Sequence, residues 1–375
     1  MVFTAADHEF MAEALRLAEQ GLYSTDPNPR VGCVITKDGG IVGRGFHRKA
    51  GEAHAEVNAL VEAGEQARGA WVYVTLEPCS HFGRTPPCTD ALIKAGVARV
   101  IAAIQDSNPK VAGQGFEKLK AAGVEISSGL MEDQARQLNP GFISRMTRGR
   151  PWLRSKLAVS LDGRTALASG ASKWITSVAA REDVQRWRAR SSAILTGIGT
   201  LLADDPELTV RLPGEWRQPK RILVDTRLRV PATARLLKPP GETYIATCVT
   251  DRERHAALLK AGAKLLVLPN TETQVNLPDL MTELASLECN EVLVEAGAIL
   301  NGALLRAGLV DELLIYMAPC VLGDTARSMF SLPPLENIGR RLELKLTDVR
   351  MIGNDLRILA VPANVKEAHP TPLFP

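Results

Sequence analysis

The sequence predicts an α/β protein of two successive domains, and three observations carry that expectation. A chain of 375 residues exceeds one average domain, and 45% hydrophobic with 23% charged residues is ordinary for a soluble globular protein. Apolar residues switch repeatedly between the helical period and short β-branched runs, the texture of a sheet layered with helices. That texture changes at Arg145-Met146-Thr147-Arg148-Gly149-Arg150-Pro151, which places a boundary between a first domain over 1–148 and a second over 149–363. The basic run itself reads as a solvated linker more readily than as a phosphate or nucleic-acid contact. A disordered tail is expected over 364–375, where prolines crowd the end.

In the first domain, Phe10, Met11, Ala14, Leu15 and Ala18 repeat with a helical period, with Asp7 as the expected cap and Gly21 as the stop. Val31–Thr36 and Ile41–Phe46 flank Lys37-Asp38-Gly39-Gly40, whose Asp-Gly signals a hairpin. Val57, Leu60 and Val61 mark a helix beginning near His54. Trp71–Leu76 then reads as strand, Thr89–Ala95 as helix, Arg99–Ile104 as strand, Gly115–Ala122 as helix and Val124–Ser127 as strand. Met131–Met146 is expected to close the domain as one helix. The pattern is a layered α/β domain with helices on both faces of its sheet.

The second domain opens with an apolar strand, Trp152–Val159, followed by a turn at Ser160-Leu161-Asp162-Gly163-Arg164. Ser177–Arg190 is helical. Strands are expected at Ala193–Thr196, Arg221–Val224, Thr243–Thr247, Lys264–Leu268, Glu291–Val294 and Glu312–Met317. Leu342–Met351 and Leu356–Val361 surround Gly353-Asn354, an antiparallel hairpin signal, so this sheet should be mixed.

Composition narrows the partners. A net charge of +3 gives no bulk attraction for nucleic acid, although a local basic pocket for a small phosphorylated ligand stays compatible with it. The N-terminus lacks a basic segment followed by an apolar core, and no apolar run is long enough to span a membrane. Six cysteines in a chain of this length make no disulfide framework. Cys33, Cys248, Cys289 and Cys320 sit in apolar contexts that suit buried core thiols. A cytoplasmic enzyme is expected, binding neither membrane nor nucleic acid and assembling as a homo-oligomer.

The chemistry concentrates in Ala53-His54-Ala55-Glu56 and in Glu77-Pro78-Cys79 through Pro87-Cys88. One imidazole and two thiolates suit a zinc ion that keeps a fourth position open, whereas a closed structural site would want a fourth strong ligand. Glu56, beside the metal but not on it, is placed to shuttle protons; alone, it could be only a helix-dipole carboxylate. His-x-Glu followed by Pro-Cys and a second Cys is the pattern of zinc nucleobase deaminases, which remove an amine hydrolytically. Here the cysteines are separated by eight residues rather than two. The intervening loop carries His81, Arg84 and Thr85, which could bind a phosphate or sugar or could simply face solvent.

In the second domain the signals are weaker. Thr196-Gly197-Ile198-Gly199-Thr200 lacks the full dinucleotide fingerprint and is more often a tight turn. Glu295-Ala296-Gly297-Ala298-Ile299-Leu300-Asn301-Gly302-Ala303 reads as strand, turn and helix, a plausible anion cradle. Trp174, taken alone, is core packing.

Further motifs carry a resemblance. They are Asp26-Pro27-Asn28-Pro29-Arg30-Val31-Gly32, Gly43-Arg44-Gly45-Phe46-His47, Gln105-Asp106-Ser107-Asn108-Pro109, Leu202-Ala203-Asp204-Asp205-Pro206 and Gly308-Leu309-Val310-Asp311-Glu312. With the two zinc-ligand segments, Ser160-Leu161-Asp162-Gly163-Arg164 and Val294-Glu295-Ala296-Gly297, they make a chain that resembles the bifunctional riboflavin-biosynthesis deaminase/reductases over nearly its whole length except the tail. The long loop between the cysteines is a feature of that family.

The resemblance implies a cytidine-deaminase-like α/β/α layered domain followed by a dihydrofolate-reductase-like mixed-sheet α/β domain. It implies zinc on His54, Cys79 and Cys88, with Glu56 catalytic. The first domain would deaminate 2,5-diamino-6-ribosylamino-4(3H)-pyrimidinone 5′-phosphate, and the second would use NADPH to reduce its ribosyl group to ribityl. Asn28, His47, Arg84, Asp106 and Asn108 would meet the deaminase substrate; Ser107 stands where the family often has proline. Ala158, Trp174, Thr200, Asp204, Thr226 and the run Gly297, Ala298, Ile299, Leu300, Asn301, Gly302 and Ala303 would line the NADPH site. Lys156, Ser172, Arg188, Leu208, Arg211 and Glu295 would meet the reductase substrate. Lys156 is a candidate donor to the sugar oxygen. Two rivals remain at this stage: a nucleoside or nucleic-acid deaminase with an accessory domain, and a zinc-stabilised binding protein. The first predicts a basic face or aromatic platforms, which 5% aromatics do not favour. The presence of Glu56 argues against the second.

Overall fold

Apolar periodicity resolves into two compact units, Met1–Arg150 and Pro151–Pro375, in a computed structural model that describes residues 3–82, 86–109, 111–270 and 274–363. The tail expected over 364–375 lies outside the described residues.

The first unit runs α1 (Ala5–Glu19), β1 (Gly32–Lys37), β2 (Gly40–Phe46), α2 (Ala55–Ala63), β3 (Trp71–Val74), α3 (Cys88–Ala95), β4 (Arg99–Ala102), α4 (Gln114–Ala121), β5 (Glu125–Ser128), α5 (Glu132–Leu138) and α6 (Pro140–Arg148). Its five-stranded sheet has the order β2-β1-β3-β4-β5. Strand β1 pairs antiparallel with β2 and β3, and β3, β4 and β5 run parallel. The Asp-Gly hairpin forms as expected, with φ of 52° at Asp38 and 78° at Gly39.

Glycines show how the layers close. A Cβ on Gly32 would lie 1.9 Å from Ala14 O of α1, and one on Gly45 would lie 2.2 Å from Ala55 O of α2. Gly32 pairs with Phe46, and Gly45 with Cys33, so these two glycines open opposite faces of the sheet. Helices α1 and α2 therefore cover opposite faces, and each presses on bare backbone.

Three expectations need correction here. Thr4, not Asp7, caps α1; Asp7 closes the capping box from the third helical position and accepts a 2.6 Å bond from the Tyr73 hydroxyl. The single helix expected over Met131–Met146 is two, because Pro140 cannot continue α5 and starts α6 instead. Asn139, at the break, bonds through its amide to the main chain of Arg30 on both sides. The basic run is no solvated linker: Arg145 and Arg148 belong to α6, where their guanidinium groups bond Pro27 O and Ser144 Oγ.

The second unit comprises β6 (Trp152–Ser160), β7 (Arg164–Ala166), α7 (Val178–Arg190), β8 (Ala193–Gly197), α8 (Ile198–Asp204), β9 (Lys220–Val224), β10 (Thr243–Thr247), α9 (Arg252–Lys260), β11 (Ala263–Val267), α10 (Leu277–Ser286), β12 (Glu291–Val294), α11 (Ala298–Arg306), β13 (Glu312–Ala318), β14 (Arg327–Ser328), β15 (Leu344–Ile352) and β16 (Asp355–Pro362). Its nine-stranded sheet has the order β11-β10-β9-β8-β12-β6-β13-β16-β15. The strands from β11 to β13 are parallel, and β16 and β15 then join antiparallel, giving the mixed sheet the sequence predicts. The first core draws on residues from 3 to 143, and the clusters of the second unit on residues from 153 to 360. No residue is shared between them.

Candidate active sites

In the first unit, β3 delivers Cys79 just beyond its end, and α3 begins at Cys88. Cys88 is thus the first residue of the helix rather than the residue before it. His54 is the N-cap of α2, and Glu56 follows in its first turn. The donors meet although they are 25 and 34 residues apart: His54 Nδ1 lies 3.6 Å from Cys79 Sγ and 3.3 Å from Cys88 Sγ. All three ligand atoms lie within 4.8 Å of one another.

Zinc bonds of about 2.3 Å to sulfur and about 2.05 Å to nitrogen, at a tetrahedral angle, separate N and S ligands by roughly 3.6 Å. The donor set therefore fits zinc in identity and spacing. The hydrogen bond between the two sulfurs pulls the Cys79 thiol down and drives Cys88 upward, as expected of two thiols that share a proton. A divalent ion would replace that proton.

Glu56 is 3% exposed, and its Oε2 has no hydrogen-bond partner among the described residues. Burial, aided by the charge on Cys79, pushes its carboxyl up to about 7. A buried carboxylate normally finds partners, so an orphaned oxygen beside three ligand atoms marks a place prepared for something else. A carboxyl held above its ordinary range is suited to take up and return a proton.

Around this centre, His47 is buried, and its ring meets that of His54 edge-on at 5.1 Å. Its Nδ1 lies 3.2 Å from Ala53 O and its Nε2 lies 3.0 Å from Asn28 Nδ2. The carbonyl can only accept, so Nδ1 carries the proton and Nε2 accepts from the Asn28 amide. Burial lowers the His47 pKa, in keeping with that neutral tautomer. Asn28 Oδ1 is left as the acceptor of its amide. Asp106 accepts from the Asn108 amide at 2.8 Å; burial raises its pKa, with the charge of Cys79 contributing. Asn28, His47, Asp106 and the three ligands are therefore gathered at one place. Arg84 lies outside the described residues.

In the second unit, Ala158 sits late in β6, Thr200 follows β8, Thr226 follows β9, and Gly297 follows β12. These are adjacent parallel strands, so the four positions share the carboxyl edge of one sheet, where α/β folds bind ligands. A Cβ on Gly297 would approach Thr200 Oγ1 at 4.0 Å. The Thr196–Thr200 segment is no tight turn: Gly197 ends β8 and caps α8 directly. Gly297 is exposed and caps α11 with no side-chain bond to that helix's first N–H groups, which fits a cofactor phosphate. Asn301 and Gly302 instead turn inward. Asn301 joins Ser155 Oγ to Ala296 O, and a Cβ on Gly302 would strike Ser331 O at 2.2 Å.

Arg188 grips Glu295 with two bonds of 2.6 and 2.9 Å. Burial would raise the Glu295 pKa, but Arg188, Lys156 and Arg211 overcome it and hold the carboxyl at about 2. Burial lowers the Lys156 pKa, against the opposing pull of Glu295. Leu208 is buried with φ of 54°, just before Thr209, whose carbonyl accepts from Arg188. Ser172 lies two residues before Trp174. Trp174 is not core: it is 69% exposed, with the Arg181 guanidinium 4.5 Å above its ring. Lys173 pairs with Asp204 at 3.0 Å, which ties the Trp174 segment to α8. One residue escaped the sequence reading as a functional group: Glu77, whose motif was visible but whose side-chain partners, some 29 to 39 residues away, were not.

Comparison with known proteins agrees with both halves. Residues 4–104 match the cytidine and deoxycytidylate deaminase zinc-binding region, and residues 151–358 match the RibD C-terminal domain. The riboflavin biosynthesis protein RibD of Escherichia coli K12 is 50% identical, covering 95% of this chain and 100% of that protein. Its Haemophilus influenzae counterpart is 46% identical, covering 97% and 99%. Among solved structures, Acinetobacter baumannii RibD superposes with a TM-score of 0.89 at 47% identity, covering 96% and 99% of the two chains. The Thermotoga maritima diaminohydroxyphosphoribosylaminopyrimidine deaminase/5-amino-6-(5-phosphoribosylamino)uracil reductase superposes at 0.85 with 32% identity and the same coverage. With a deaminase zinc cage in its first unit and a reductase sheet in its second, the chain belongs to the RibD family of bifunctional riboflavin-biosynthesis deaminase/reductases.

Proposed function

We propose that the first unit hydrolyses the ring amine of 2,5-diamino-6-ribosylamino-4(3H)-pyrimidinone 5′-phosphate, and that the second reduces the ribosyl group of the product with NADPH. The observation that carries the first step is Glu56, buried with an unpartnered oxygen beside His54, Cys79 and Cys88. Zinc on those three donors would supply an open position for water and lower the pKa of that water. Glu56 takes a proton from the attacking water and returns it to the departing amine, so that ammonia leaves and a ring carbonyl remains. Asn28, oriented by His47, presents an acceptor that selects a ring N–H or amine. Asp106 and Asn108, whose turn lies within the field of Cys79, would supply further polar contacts to the substrate.

In the second unit the cofactor supplies the hydride, and the protein supplies alignment. The uncapped N-terminus of α11 at Gly297 would receive its phosphate, beside Thr200. Lys156, its pKa lowered by burial, would give a proton to the sugar oxygen. Glu295 holds Arg188, and its charge opposes the downward pull of burial on the Lys156 pKa.

Ammonia release from the diaminopyrimidine phosphate, followed by NADPH oxidation on its product, tests both steps. Glu56→Gln should lose ammonia release by at least about a thousandfold while keeping its zinc and its NADPH oxidation. Failure of the zinc-loaded protein to release ammonia would sink the deaminase assignment.

A further inference from the structure

Glu77 is 4% exposed and stands two residues before the metal ligand Cys79. Its main-chain N–H bonds Ile104 O at 2.9 Å, which lays the end of β3 beside the segment leaving β4. Its carboxylate then reaches across that segment and takes four backbone N–H groups. Oε2 accepts from Asp106 N and Gly113 N, both at 3.0 Å; Oε1 accepts from Gly115 N at 2.8 Å and Phe116 N at 3.3 Å. Two of these donors lie in the first turn of α4, whose N-cap Gly113 offers no side-chain cap. Glu77 thus supplies from a distant strand the negative group that a helix start favours.

The fit is close on every side. A Cβ on Gly115 would fall 2.1 Å from Pro78 O and 3.0 Å from Glu77 Oε1. Asp106, held by its amide, bonds the Asn108 amide through its own carboxylate, which fixes the Asp106-Ser107-Asn108 turn. One carboxylate therefore joins the chain segment that carries a zinc-ligand cysteine to the Asp106-Ser107-Asn108 turn.

We infer that Glu77 is a positioning residue for deamination: its carboxylate sets Asp106 and Asn108 against the substrate in register with the Cys79 side of the metal site. The inference rests on the reading of Asp106 and Asn108 as substrate contacts. Glu77 touches no reacting atom, and acts through the turn it holds. A carboxylate is required because four N–H donors converge on two oxygens. An amide would set its own N–H groups against two of them, so Glu77→Gln changes the pattern with almost no change in shape.

The test is steady-state kinetics on the full chain for ammonia release from the diaminopyrimidine phosphate, with zinc content and NADPH oxidation measured on the same samples. Glu77→Gln should raise the deaminase KM about tenfold or more, with zinc content and the reductase rate unchanged. Asp106→Asn should raise the same KM, and the double variant should be little worse than Asp106→Asn alone, because both act through one turn. Glu77→Asp keeps the charge and one side of the clamp, so it should recover part of the loss and serve if Glu77→Gln folds poorly. A deaminase KM within twofold of the parent in Glu77→Gln, while Asp106→Asn raises it, overturns the inference. So does a fall in zinc content in step with activity, or additive losses in the double variant. If Asp106→Asn itself leaves KM unchanged, the assignment of Asp106 as a substrate contact fails, and the inference falls with it.

Discussion

Glu295 lies among three cations, and its charge has a consequence for stability that can be measured. Arg188 bonds it twice, and Lys156 and Arg211 add to the field. Burial alone would push its pKa up, yet the cations hold it at about 2, below the ordinary 4.5. A carboxyl depressed on folding contributes stability that is fully present above the unfolded pKa and is lost as pH falls through the folded one. The window is therefore from about pH 4.5 down to about 2, and a shift of that size corresponds to roughly 3 kcal/mol. Urea melts of the second unit's tryptophan signal between pH 6 and pH 3 should show the first part of this loss, about 2 kcal/mol. Glu295→Gln should flatten that part of the profile and lower stability near neutrality by about 3–5 kcal/mol, since Arg188 would stay buried without its counter-charge. An unchanged acid slope in that variant would assign the effect to another carboxyl. The same variant should cut NADPH oxidation and leave ammonia release untouched.

At the scale of elements, catalysis in the first unit depends on how closely α2 can approach β2. Gly43 and Gly45 remove the obstacle, since added Cβ atoms would sit 2.3 Å from Ala59 O and 2.2 Å from Ala55 O. Ala55 adjoins His54 and Glu56, so a displaced α2 moves a ligand and the proton carrier together. Gly45→Ala should cost about 1–3 kcal/mol in stability and lower zinc content and ammonia release in parallel. A variant with full zinc and full activity would show that the helix can shift without disturbing its first turn. The same elements show what a sequence discloses. Helix and strand periods placed α1 through α4 and the hairpin, because each is a local pattern of burial. The break at Asn139 was hidden because apolar spacing continues through Pro140, and the Asn139–Arg30 bonds that stabilise it span 109 residues. His54, Glu56, Cys79 and Cys88 were legible because metal chemistry demands particular residue types whatever their spacing. The grouping of Lys156, Arg188 and Glu295 was legible only through resemblance: the three come from β6, α7 and the end of β12, and no local pattern links them. Glu77 had a visible motif but no visible role, since its partners are amides that any sequence would provide.

For the whole molecule, separate cores predict separate responses to separate ligands. The first unit packs around residues between 3 and 143, and the second around residues between 153 and 360. Among the described residues the zinc-ligand cluster lies in the first unit, and the proposed nicotinamide site lies in the second. A ligand that binds one native unit stabilises that unit by an amount set by its concentration relative to Kd, about 2.7 kcal/mol at a hundredfold excess. Stripping zinc with a chelator should therefore lower the melting of the first unit, where buried Cys88 and half-buried Cys79 and His54 would lose a shared cation, and leave the second where it was. Saturating NADPH should raise the second and leave the first. The tryptophans make the two readable: Trp71 lies in the first unit, and Trp152, Trp174, Trp187 and Trp216 lie in the second. Tryptophan fluorescence thus follows mainly the second unit, while release of zinc to a colorimetric chelator follows the first. A single transition, moved equally by the chelator and by NADPH on both signals, would mean that the halves unfold as one cooperative body despite their separate cores.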